Sequence, residues 1–146
     1  MTRKLNFRFA FAGMVLLAGA AVQIVREHRP SMLRPGLRLC AYVASAADGN
    51  VTVVDLVRLA VTGKISVGPA PSGLRAHPTR KEIWGVSTEG GYVWVIDAPH
   101  DQVAARIPVG AAPFALDFSP DGSRAYVAAS GASSVVAIDC QTRQVV

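Results

Sequence analysis

Ile107 to Val127 read IPVGAAPFALDFSPDGSRAYV, and the landmarks of this stretch recur upstream at one fixed distance. Val109-Gly110 lies 42 residues after Val67-Gly68, Pro113 after Pro71, Leu116 after Leu74 and Pro120 after Pro78. The same step joins Tyr42 to Trp84 and Tyr126, and Asp55 to Asp97 and Asp139, without a gap. Self-similarity at this period, with strand-like runs inside each copy, is the mark of a β-propeller blade array.

One period shows how a blade is built. Ile83-Trp84-Gly85-Val86 is a short β run, and Thr88-Glu89-Gly90-Gly91 is a turn whose two glycines can take positive φ. Tyr92 to Asp97 is a second run, rich in β-branched and aromatic residues, and Ala98-Pro99-His100-Asp101 turns the chain again. Val103 to Val109 forms a third run. Pro113 to Ser119 then alternates with period two, placing Phe114, Leu116 and Phe118 on one face and Ala115, Asp117 and Ser119 on the other. Pro120-Asp121-Gly122 ends it with a turn. Four strands per period, joined by short turns, make one antiparallel blade with apolar residues on both faces, because both faces meet neighbouring blades.

The quoted stretch, continued by Val135-Val136-Ala137-Ile138-Asp139, resembles the YVTN family of β-propeller repeats. That family's pattern runs I-P-V-G-x-x-P, then S-P-D-G-x-x-x-Y-V, then V-x-V-I-D. The resemblance covers residues 39–146 and implies four-stranded blades. Propellers of related type include surface-layer proteins, sugar-lactone hydrolases and haem-binding or quinone-enzyme subunits of periplasmic electron transfer. The resemblance therefore implies a fold and no particular reaction. The expected fold class is all-β, an incomplete ring of propeller blades preceded by an N-terminal hydrophobic helix. The first copy begins at a blade's second strand, near Leu39 to Val43. Pro30-Ser31-Met32-Leu33-Arg34 echoes Pro71-Ser72-Gly73-Leu74-Arg75 as a degenerate innermost strand, at a spacing of 41. About two and a half blades are present, against the roughly four to eight of closed propellers. The chain is expected to be part of a longer propeller, or to complete a ring by assembly of copies.

Charge separates the chain into two parts. The formal net charge is +5, yet Ala41 to Val146 hold eight basic and nine acidic residues. The positive excess lies in the first 40 residues, which leaves the repeats no basic stripe for phosphates and excludes nucleic acid as a partner. Arg3, Lys4 and Arg8 precede an apolar run, Phe9 to Leu17, and Ala18-Gly19-Ala20. This is the layout of a secretory signal peptide. The apolar stretch also extends to Val25, broken by Gln23, so an uncleaved anchor stays open as the second reading. Residues 1–25 are thus a signal peptide or N-terminal membrane anchor, 26–38 a linker and 39–146 the partial propeller. Either reading exports the repeats to the periplasm or the outside, with membrane contact only through the N-terminal segment. Cys40 and Cys140 occupy different points of the repeat and are expected as two unpaired thiols.

Asp55, Asp97 and Asp139 recur at blade period and are expected to be turn acceptors, as is Asp121. Tyr42, Trp84 and Tyr126 are expected to pack between blades. Arg75 and Asp117, at equivalent points of successive innermost strands, and His77, at the end of one, are the candidate ligand-facing residues. His28 and His100 stand at unrelated positions. No catalytic, cofactor-binding or metal motif is present: there is no Gly-x-Ser-x-Gly elbow, phosphate loop, His-Glu-x-x-His or haem attachment sequence. The expected function is an exported, non-enzymatic binding scaffold for a protein, glycan or small-molecule ligand, able to self-assemble through open blade edges. The alternative is a piece of a periplasmic propeller enzyme or redox subunit whose catalytic residues lie elsewhere.

Overall fold

The computed structural model describes residues 38–146. The expected signal or anchor, the linker up to residue 37, the strand-like echo at Pro30–Arg34 and His28 lie outside the described residues. Strands β1 (Cys40–Ser45), β2 (Asn50–Asp55) and β3 (Ala60–Ser66) form blade 1 in the order β1-β2-β3. Blade 2 is β4 (Pro71–Ala76), β5 (Glu82–Ser87), β6 (Tyr92–Asp97) and β7 (Gln102–Pro108). Blade 3 is β8 (Pro113–Phe118), β9 (Arg124–Ala129), β10 (Ser134–Asp139) and the two-residue β11 (Gln144–Val145). Each blade is an antiparallel meander. Short turns suffice because every strand pairs with its neighbour in sequence.

The period is written into the backbone. Leu59, Asp101 and Arg143 turn the chain with φ of 52°, 52° and 58°, and Gly49, Gly91 and Ser133 with 65°, 70° and 48°. Positive φ is uncommon outside glycine, so its return every 42 residues marks the same turns built from different residues. At Thr88–Gly91 only Gly91 takes positive φ, whereas two glycines were expected to be available for it. Gly90 instead donates its N–H to the Ser87 hydroxyl.

Two apolar layers hold the blades together. Ile83, Trp94 and Ile96 of blade 2 pack on Val51, Val53, Ile65 and Val67 of blade 1. The opposite parity, Trp84, Val86, Val93 and Val95, packs on Leu116, Ala125, Val127, Ile138 and Cys140 of blade 3. Burying each such side chain stabilises by about 1.5–3 kcal/mol, and alternation along β5 and β6 lets one sheet serve both layers. Cys40 and Cys140 are free thiols in different layers. Burial pushes the Cys140 thiol up to about 11.

One rung is rebalanced. Gly85 faces Trp94 across β5 and β6, and a Cβ on Gly85 would lie 2.1 Å from the indole. The equivalent rungs are Val43 with Thr52 and Val127 with Val136. Bulk lost on one strand returns on the other.

The innermost strands break the expected alternation. β8 has a bulge between Pro113 and Ala115, and β4 one between Pro71 and Leu74. Leu116 is buried and Phe118 half-buried, but Phe114 is exposed instead of sharing their face. An extra residue in a bulged strand reverses which face the next side chain takes.

Candidate functional site

The turns between β1 and β2, β5 and β6, and β9 and β10 share one rim with the inter-blade loops. Val67 and Gly68 donate their N–H groups to the Gly49 carbonyl, and Val109 does so to Gly91. At the far end of each loop, Thr88 donates to the Ala70 carbonyl and Ser130 to that of Ala112. Each loop is therefore pinned by the turn of its own blade and the turn of the next.

Between blades 1 and 2 this arrangement leaves an open groove of about 540 Å³. It is lined by Ala46 to Gly49, Ser66, Gly68 to Ala70 and Glu89. Gly68 has φ of 106°, and the Tyr92 hydroxyl, donating to the Val67 carbonyl, fills the place a Cβ would need. Only glycine keeps the loop there. The walls are small residues, with two carboxylates, Asp48 and Glu89, at the edge. Asp48 accepts a hydrogen bond from the Ser45 hydroxyl. The volume lies within the range of small-molecule sites, about 300–1,000 Å³.

Arg75 and Asp117 come together on the innermost strands, with Nε to Oδ1 at 3.9 Å and both side chains exposed. An exposed pair of this kind contributes about 0–1 kcal/mol, so both groups stay available to a ligand.

His77 is placed otherwise, which corrects its expected ligand-facing role. It is buried in the layer between blades 2 and 3, its ring 4.8 Å from that of Phe118 and 6.3 Å from that of Trp84. Nδ1 accepts the backbone N–H groups of Thr79 and Arg80, while Nε2 has no partner. Burial, and then the Arg80 charge, lower its pKa, which keeps the ring neutral at pH 7. The physical reason is turn chemistry. His77-Pro78 stands where blade 3 has Ser119-Pro120, and the Ser119 hydroxyl likewise accepts a backbone N–H, from Arg124.

The recurring aspartates cap turns, with one informative exception. Asp55 Oδ1 accepts the N–H groups of Val57 and Arg58, and Asp139 Oδ1 those of Gln141 and Thr142. These bonds, led by those from Arg58 and Thr142, hold both carboxyls below the usual range. At Asp97 the equivalent of Val57 is Pro99, which has no N–H. There Oδ2 pairs instead with His100 Nδ1 at 2.6 Å.

Sequence reasoning missed a set of polar links between blades. Asp101 accepts from the Tyr42 hydroxyl at 2.8 Å and pairs with Arg38. One period later, Arg143 reaches back to Glu82 at 3.0 Å, and Glu82 also accepts the Trp84 indole N–H. The step from 101 to 143 was the available signal, hidden because the charge changes sign.

The described residues are similar to solved structures that support a propeller-like fold. One is Kuenenia stuttgartiensis hydrazine synthase, at 29% identity and a TM-score of 0.69, covering 73% of this chain and 31% of that one. The fold is propeller-like. A second is dihydro-heme d1 dehydrogenase NirN in complex with DHE, at 25% identity and 0.64, covering 81% of this chain and 25% of that one. A third, apo AztD from Citrobacter koseri, bears on the fold alone, at 14% identity and 0.58, over 67% of this chain and 28% of that one. The chain thus spans about a quarter to a third of the structures it matches. No protein-family model matches it, and no curated protein does.

Proposed function

We propose that the chain is an exported propeller module that binds a small polar ligand in the rim groove between blades 1 and 2, without chemistry of its own. The observation that carries this reading is the groove itself. Its walls are small residues, its loops are fixed at both ends by backbone hydrogen bonds, and Asp48 and Glu89 can accept from hydroxyl or ammonium groups. Pinned loops lose little entropy on binding, which favours recognition by shape.

Titrating the 15N-labelled chain with a panel of polar fragments tests it. Shifts gathered at residues 46–49, 66–70 and 89, and lost in Ala47→Trp, are the expected result. Shifts scattered over the blades would sink the reading. Export rests on the tripartite layout of residues 1–20. A fusion of residues 1–25 to a reporter active only outside the cytoplasm should be active, and a silent fusion removes export from the proposal.

A second reading, part of a redox propeller whose catalytic groups lie elsewhere, is favoured by the similarity to hydrazine synthase and NirN. It predicts that the chain purified from its native source, together with the polypeptide or partner it remains attached to, carries a stoichiometric visible absorption band. A colourless preparation counts against it.

A further inference from the structure

His77 joins the turn after β4 to blade 3 through a closed set of contacts. Nδ1 accepts the N–H groups of Thr79 and Arg80 at 3.2 and 3.1 Å. Arg80 reaches across the seam, its Nη1 donating to the Cys140 carbonyl at 2.7 Å. Cys140 in turn donates its N–H to the Ser123 carbonyl at 2.9 Å. The turn that leads into Ser123 lies directly on the His77 turn. A Cβ on Gly122 would stand 2.8 Å from the His77 ring, 2.9 Å from Pro78 and 3.2 Å from the Thr79 hydroxyl. Packing this close transmits displacement, so the turn at residues 78–80 cannot move without moving blade 3.

The closed turn has no place for a second proton on the ring. Because Nδ1 accepts, the ring proton sits on Nε2, which is buried without a partner. A proton added at Nδ1 would face two N–H donors and would charge a side chain only 5% exposed. The groups around the ring do not offset this. Arg80, on the same turn, opposes the cation; Glu82 of β5 and the Gly122 backbone favour it, but burial outweighs them. Glu82 already serves Arg143 and the Trp84 indole. Asp121, on the turn packed against the ring, is engaged by Ser119 and Ser123, and Asp139, beside Cys140, by Gln141 and Thr142. Blade 3 builds the equivalent turn with Ser119 in the place of His77, a group that does not titrate in this range.

We infer that the turn at residues 78–80 is a proton-operated latch on the seam between blades 2 and 3. Protonation of His77 releases the Thr79 and Arg80 N–H groups and withdraws Arg80 from the Cys140 carbonyl. The seam then opens at the end of β5 away from the rim, and the Cys140 thiol, fully buried in the closed form, becomes reachable. The opening is local, because the layer between blades 1 and 2 is built from other residues. It is independent of any ligand in the rim groove.

Two measurements on the full chain in mild detergent, which accommodates the N-terminal apolar segment, test the latch between pH 7.5 and 4. The first follows the His77 ring and the amides of Thr79, Arg80, Gly122 and Cys140 by NMR. They should change together at one midpoint below the ordinary histidine value of 6.5, while the amides of β1 to β3 stay in place. The second is the rate at which dipyridyl disulfide, a reagent that attacks thiols in acid as well as at neutral pH, modifies Cys140 in a Cys40→Ser background. Acid should speed it severalfold over the same chain carrying His77→Asn, which keeps an acceptor for the turn but does not titrate. The unsubstituted chain decides the matter alone if that variant fails to fold, since ring titration and thiol access must share a midpoint. A ring that takes its proton while Cys140 stays unreactive overturns the inference. So does a midpoint absent down to pH 4, an opening that persists in a folded His77→Asn chain, or loss of all amides at once.

Discussion

At the scale of single residues, neighbours explain what residue type alone does not. Gly85 is glycine because Trp94 occupies its side-chain space. Gly85→Ala should lower stability by about 1–3 kcal/mol through overpacking, measured by urea unfolding, and an unchanged midpoint would contradict the Gly85–Trp94 account. His77 and Asp121 make stability depend on pH in two windows. His77 has its pKa lowered in the fold, so its contribution is present above the ordinary value of 6.5 and is lost as pH falls through the lower folded value. Asp121, held at about 2 by Ser119 and then Ser123, contributes above its ordinary 3.8 and loses that contribution as pH falls toward 2. His77→Asn should erase the first decline and leave the second, whereas Asp121→Asn should reduce only the second, to which Asp55 and Asp139 also contribute. Thermal melts from pH 8 to 2 distinguish these outcomes. Asp97 teaches the same lesson in sequence terms: the turn acceptor was legible, but its histidine partner follows from the missing N–H of Pro99.

At the scale of elements, strands and their order were legible because each run ends at a turn with its own chemistry. The bulges were not. β4 and β8 both slip near their first residues, and nothing in period-two alternation signals a slip. That is why Phe114 leaves the face of Leu116 and Phe118. The inter-blade loops carry a measurable cost, since Ala70 and Ala112 sit at φ of 45° and 49°. A left-handed Cβ costs about 1–2 kcal/mol, of which glycine's extra entropy takes back about half. Ala112→Gly should therefore raise stability by about 0.5–1 kcal/mol in chemical denaturation, and a loss of stability would show that the loop is not strained there.

At the scale of the whole described molecule, blades touch only their neighbours, so stability is distributed layer by layer. Trp84→Ala should cost about 3–5 kcal/mol and should speed amide exchange in β8 to β11 more than in β1 to β3. Equal acceleration everywhere would mean that the layers do not act separately. Of the candidate site, the Arg75–Asp117 neighbourhood followed from the period, because equivalent positions in successive blades meet. His77 did not, since burial depends on the ring having Trp84 and Phe118 beside it. The sequence by itself determined the strands and the repeat, because hydrophobic alternation and turn residues act over short distances and recur every 42 positions. Only the tertiary structure decided which face each side chain takes, which polar groups link blades and which apolar residues stay uncovered. Those outcomes depend on cross-strand register and blade-on-blade packing, which join residues many positions apart and leave no local pattern to read.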